Sequence, residues 1–267
     1  MKGGKNMRNS LRLYGKYFSI LLRSAMQYKA SFLLLTAGQF LSSFTALLSI
    51  WFLFQRFHTV EGFTFPQVLL CFAAVLAAFS LAECFARGFD TFPQMLANGE
   101  FDRVLLRPRN EIFQTLASKM EFSRVGRLCQ AALVFCWAVP QSGVAWTVPK
   151  ALCLALMVLG GAVLFYGLFL LYAGICFFTT EGLEVMNIFT DGGREFGAYP
   201  LSVYGKDVLR LCTWVVPLAC VQYYPLLFLL GRGPGWYGLL PLAGVLFLLP
   251  CWLFWRLGLR RYKSTGS

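Results

Sequence analysis

Charge is scarce in this sequence of 267 residues. Only 13% are Asp, Glu, Lys or Arg, against 58% hydrophobic and 17% aromatic, and no polar stretch is long enough to build a large soluble domain. That lack also argues against a nucleic-acid binder, because the net charge of +12 has no folded polar face to carry it. Histidine is almost absent. The single copy, His58, stands beside Glu61, too little for a metal site, and with no H-E-x-x-H present any His-dependent hydrolysis has one candidate. Nor is there a G-x-x-x-x-G-K-[ST] phosphate loop: Gly192-Gly193-Arg194 lacks both the Lys-Ser/Thr ending and a preceding strand, so the chain cannot by itself be an ATPase of that type. The nine cysteines (71, 84, 129, 136, 153, 176, 212, 220 and 251) show no C-x-x-C spacing and lie in or near apolar stretches. They read as small membrane residues, with a disulfide framework as the alternative.

What the sequence has instead is hydrocarbon in lengths that match a bilayer. A helical span needs about 20 apolar residues, and six stretches qualify: 30–54, 66–86, 122–142, 151–178, 209–230 and 238–256. The expected fold is therefore an all-α polytopic membrane protein. The first apolar run, from Ala30, is too long for a signal-peptide core and lacks a small-residue cleavage site, so it is expected to stay in the mature protein. The third span has the least definite limits. The fifth is broken by Pro217 and Pro225 around Gln222, Tyr223 and Tyr224; such breaks free backbone groups that neighbours or a cavity must satisfy. This predicts a kinked or partly re-entrant helix and a possible gate, unless the tyrosines are interfacial anchors.

Residues 1–29 are basic, with Arg8, Arg12, Lys16 and Arg23 on one helical face and Leu13, Tyr14, Tyr17, Phe18, Leu21, Ala25 and Tyr28 on the other. This predicts an amphipathic helix lying in the headgroup layer on membrane lipid, or docked on a partner surface, or both. Within the spans, Gln39 reads as helix-packing glue. Glu83 and Arg87, at i, i+4 spacing near the end of the second span, read as a pair that screens itself at the interface, with a proton relay as the alternative.

Alternating the six spans places both termini, the loops 87–121 and 179–208 and the tail 258–267 on one side. Taken with the adjoining span ends, that side holds 21 of the Lys and Arg; the other holds 3, namely Arg56, Lys150 and Arg232. Basic residues concentrate on the cytoplasmic side, so both termini and the charged segment Gly99 to Asn110, GEFDRVLLRPRN, are expected in the cytoplasm of a plasma-membrane protein. Composition alone leaves a pore, an ion-gradient-driven secondary carrier or a non-transport membrane scaffold open. A secondary carrier often shows repeated halves, and no internal repeat is evident.

Several short motifs keep their order, spacing and side. Gly99-Glu100-Phe101-Asp102 leads to Leu105-Leu106-Arg107-Pro108 after the second span, and Tyr199-Pro200 is followed by Val216-Pro217 and Tyr223-Tyr224-Pro225-Leu226. With the basic front helix, these make the chain resemble, over nearly its whole length, the permease subunit of a type-2 ATP-binding-cassette (ABC) exporter, in the six-span branch without a fused ATPase. The resemblance implies a non-catalytic subunit with no cofactor of its own. It also implies a separate cytoplasmic ATPase dimer that holds the ATP and Mg, a second permease subunit, identical or different, and an outward or lipid-extracting pathway between the two.

Carried onto this sequence, Gly99 to Pro108 would hold the coupling helix that docks on the ATPase. Gly99 can turn the chain, and Glu100 and Asp102 suit a helix N-terminus. Phe101, Leu105 and Leu106 can plug an apolar groove, Arg103 and Arg107 can pair with rim carboxylates, and Pro108 ends the element. The plainer alternative is an amphipathic loop that only covers the base of the bundle.

Overall fold

The computed structural model of the chain describes residues 2–179 and 184–263. It is all-α: among the described residues no strand occurs, only an isolated bridge between Val60 and Phe63. Among the described residues five helical stretches are long and apolar enough to cross a membrane, and a sixth, Lys206–Trp214 with Leu218–Leu229, is bent by 85°.

Helix α1 (Lys2–Ala25) leads through a 3-10 turn into α2 (Lys29–Arg56). The first apolar crossing that is fully enclosed is α3 (Phe65–Asp90). It starts at a Thr64 N-cap whose N–H donates to the Gln67 side-chain oxygen at 3.1 Å, with Pro66 supplying a preset φ in the first turn. Every residue from Val68 to Ser80 is buried, as required of a helix that is apolar all round and rich in alanine. α3 is thus the axis of the bundle.

Three short helices follow at the Asp90 end: α4 (Phe92–Ala97), α5 (Glu100–Leu105) and α6 (Glu111–Ser118). Helix α7 (Val125–Gln141), preceded by a 3-10 turn over Phe122–Arg124, returns along α3, and α8 (Val148–Thr179) descends again. The last helix, α13 (Ala243–Arg261), packs along α8. Glycine sets that closeness: a Cβ on Gly160 would lie 2.3 Å from the Pro241 carbonyl oxygen, and one on Gly244 would lie 2.3 Å from that of Gly160. The two backbones touch, in the small-residue manner of membrane helix pairs.

Between them the chain departs from the sequence expectation. The stretch 179–208 was expected as a loop on the Gly99 side, yet α9 (Glu184–Gly197) packs along α3 and α8. The Arg194 guanidinium lies 5.2 Å from the centre of the Phe79 ring, and the Gly197 carbonyl receives the Cys71 thiol at 3.6 Å. By residue 197 the chain has therefore climbed along α3 to its Phe65 half. The span over 209–230, expected as a kinked or partly re-entrant helix, is broken into three pieces, α10 (Lys206–Trp214), α11 (Leu218–Val221) and α12 (Tyr223–Leu229), seated at the Phe65 end. There the Tyr223 ring meets Phe63 at 6.4 Å and Arg232 donates to the Gly62 carbonyl at 3.0 Å. The physical reason is local. Pro217 and Pro225 interrupt the hydrogen-bond ladder, while Arg194 gains an aromatic face and Glu195 as partners, which lets a charged helix enter the bundle.

Replacing Gly160 with Val is expected to drive the α8 and α13 backbones apart and lower stability by about 1–3 kcal/mol, read as earlier thermal unfolding of the purified protein in detergent.

Candidate functional site: the α4–α6 block and its mountings

The charged segment is organised around two turns. Gly99 takes a left-handed φ of +66°, a region that L side chains avoid, and so redirects the chain from α4 into α5. Glu100 and Asp102 occupy the first turn of α5 and Arg103 its last, matching the helix dipole. Asn110 caps α6 by accepting from the Phe113 N–H at 3.1 Å. The Gln114 amide donates to the Val104 and Arg109 carbonyls, each at 3.1 Å, fixing the connecting loop through Pro108.

The structure divides the predicted coupling residues into two sets. Phe101 does not face outward. It is 0% exposed, surrounded by the rings of Phe92 at 5.0 Å, Tyr262 at 5.3 Å, Phe177 at 5.4 Å and Trp255 at 6.3 Å, and so fills the protein's own core instead of a partner's groove. The reason is burial: these rings from α4, α8 and α13 remove its surface from water, where a lone exposed Phe would gain nothing. Asp102 accepts from the Tyr262 hydroxyl at 3.0 Å. Burial first, and then this carboxylate, push the Tyr262 pKa up to about 12, so the bond holds at any neutral pH. Outward stand Leu106, 86% exposed, and Leu105, 44% exposed, amid exposed Glu100, Arg103, Arg107 and Pro108.

Helix α1 braces the block from the side. The Tyr14 ring lies tilted at 6.1 Å from Phe113 and Phe18 meets Phe122 edge-to-face at 5.1 Å, while Leu21, Leu22 and Ala25 complete a small core with Met120 and Cys84. Its apolar face is therefore spent on protein, at least along these residues.

Sequence reasoning missed the group that ties the block together. Glu83, read as a residue at the membrane surface, is only 4% exposed. Its carboxylate takes Arg127 at 2.6 Å, Arg124 at 3.1 Å and Arg87 at 3.7 Å, while Arg87 also holds Asp90 at 2.6 Å. A buried carboxylate survives because several charged donors share it. The available signal was Arg124 and Arg127 standing three apart at the start of the third span.

The residues proposed as a gate are engaged at the other end. Pro217 caps α11 at the bend. Gln222, 1% exposed, donates to the carbonyls of Gly197 at 2.8 Å and Tyr199 at 2.6 Å. Tyr224 lies 3.3 Å from the Thr213 hydroxyl and 5.1 Å from the Tyr237 ring, and Pro225 is buried in the first turn of α12. Between the two ends, a polar cavity of about 230 Å³ is lined by Ser42, Ser43, Thr45 and Ser49 of α2 and by Arg194 and Glu195 of α9. The Ser and Thr residues of the first span thus face a charged helix across a void.

A family model described as ABC-2 family transporter protein matches residues 40–266. The chain belongs to that family. The match takes in the α4–α6 block, the broken segment α10–α12 and every crossing except the first turns of α2. No match is found among curated proteins or among solved structures. As an ABC-2 family member the chain is a multi-pass membrane protein of an ABC transporter, a class whose transmembrane subunits are typically non-catalytic and work with an ABC ATPase.

Removing the Glu83 charge isolates buried arginines. Glu83→Gln is expected to cost about 3–5 kcal/mol, seen as loss of the folded protein in denaturant titration, with Glu83→Asp recovering part of the loss.

Proposed function

We propose that this chain is the permease subunit of an ABC exporter, driven through α5 by a separate cytoplasmic ATPase dimer that holds ATP and Mg, with a second permease subunit beside it. The observation that carries the reading is the contrast within one short helix. α5 is locked to α8 and α13 from within by Phe101 and Asp102, yet presents Leu105, Leu106, Arg103 and Arg107 outward. A side chain as apolar and exposed as Leu106 on a charged surface suits a docking contact. Lys and Arg on the α5 side and in the tail favour a cytoplasmic placement of this face and of both termini. A push on α5 would pass through the aromatic cluster to α8 and α13, and through the Glu83 arginines to α3 and α7. The polar cavity between α2 and α9 is the proposed wall of the pathway, with Pro217 to Pro225 as the hinge of its outer gate. ATP-driven closure would then shift the population between inward-facing and outward-facing states.

The partner in the test is a separate cytoplasmic ABC ATPase. Leu105→Asp with Leu106→Asp is expected to reduce its co-purification at least tenfold while membrane insertion and thermal stability stay unchanged, whereas Phe101→Asp destabilises the permease itself. Undiminished capture by the double variant, or transport by this chain alone in vesicles driven by an ion gradient without ATP, would overturn the reading.

A further inference from the structure

Helix α2 is held to the bundle along a narrow seam. Near its start the contact is backbone to backbone: a Cβ on Gly126 of α7 would lie 2.2 Å from the Thr36 carbonyl oxygen. Beyond it, α2, α3 and α7 enclose a groove of about 450 Å³, within the size range of small-molecule sites. Phe40, Phe44 and Trp51 of α2 form one wall, Leu133 and Trp137 of α7 the other, and Phe65 of α3 closes the upper end. Phe44, Trp51, Leu133 and Trp137 are all partly exposed along the groove, so it opens sideways at the depth of the spans. The eleven residue-to-residue steps from Phe40 to Trp51 rise about 16 Å, close to one leaflet of a hydrocarbon core about 30 Å thick. Trp51 and Trp137 stand at its upper end, the position tryptophan favours at a membrane interface.

Apart from the indole N–H donors of Trp51 and Trp137 at the upper end, the lining residue that can hydrogen-bond is Gln130, 2% exposed. One end of its amide pairs with the Ser43 hydroxyl, while its Nε2 has no partner. Turning the amide exchanges the roles, with Nε2 donating to Ser43 and Oε1 left over. Either way one hydrogen-bonding atom of a buried side chain on the groove wall is unmet, an arrangement that native proteins avoid unless something completes it. A bare hydrocarbon chain would fill the volume and leave that atom unsatisfied. A charged headgroup would enter a groove with no counter-charge.

We propose that this groove binds a neutral single-chain lipid about one leaflet long, whose one hydroxyl or carbonyl group meets Gln130. The site is separate from the α5 face and does not depend on the permease reading.

The test uses the full chain in nanodiscs and two brominated probes of equal length, 1-hexadecanol and hexadecane, read by quenching of tryptophan fluorescence. The alcohol is expected to bind at least tenfold more tightly than the alkane, with the quenching lost in the Trp51→Phe/Trp137→Phe variant. Gln130→Leu should bring the alcohol down to the alkane's affinity without changing the latter, which also shows that the variant is folded. Leu133→Trp, which fills the groove, should abolish both signals. Equal affinities in the unmodified protein, or quenching that survives Leu133→Trp, overturn the proposal. Absence of quenching by either probe overturns it as well and points to a protein partner on this face.

Discussion

A single carboxylate closes the cytoplasmic half of the molecule as proposed here. Glu83 sits on α3 just before the chain leaves the bundle, and Arg124 and Arg127 sit just where it re-enters. Everything between, α4, α5 and α6, is an excursion whose two roots are pinned to the same pair of oxygen atoms. Buried ion pairs of this kind are poor sources of net stability, because desolvating the charges offsets much of their attraction. They do constrain geometry, since a packing that separates the partners leaves a buried charge uncompensated. The orientation of α5 relative to the crossings follows from that constraint, and the Phe101 cluster then sets its depth.

The two mountings differ in character. The aromatic contacts among Phe92, Phe101, Phe177 and Trp255 are close-packed and resist compression, which suits transmission of a push to α8 and α13. The arginine contacts are directional, and α7 can move only if α3 moves with it or the pairs break. By contrast α2 has a hydroxyl-lined void on one side and an apolar groove on the other, and of the straight crossings it is the one its neighbours restrain least. A bundle with a stiff axis and one lightly held helix has a natural place for motion.

Much of this was legible in the sequence. Hydropathy alone located the straight crossings, because no other material can satisfy a backbone in lipid, and the prolines at 217 and 225 announced the break. The failures share one cause. Phe101, Glu83 and Arg194 each have partners remote in the chain: Phe101 meets Phe177 and Trp255, Glu83 meets Arg127, and Arg194 meets Phe79. Read locally, an apolar residue among charges looks like an exposed plug, and a charged residue beside a span looks like its end. Only the folded contacts show that the first is core and the other two lie inside the bundle. Gln222 was noticed for its position near the prolines, but its task of holding two backbone carbonyls needed α9 to be placed first.

The shared carboxylate also bears on how the chain is made. α3 leaves the ribosome before α7, so Glu83 enters the membrane with only Arg87, one turn away, to accompany it. Its two closer partners arrive after the whole α4–α6 excursion has been synthesised. The second and third crossings therefore complete each other as a unit: the helix that becomes the axis of the bundle reaches its settled burial only when the third crossing delivers its arginines. For this protein, the order of synthesis and the order of structural completion are not the same.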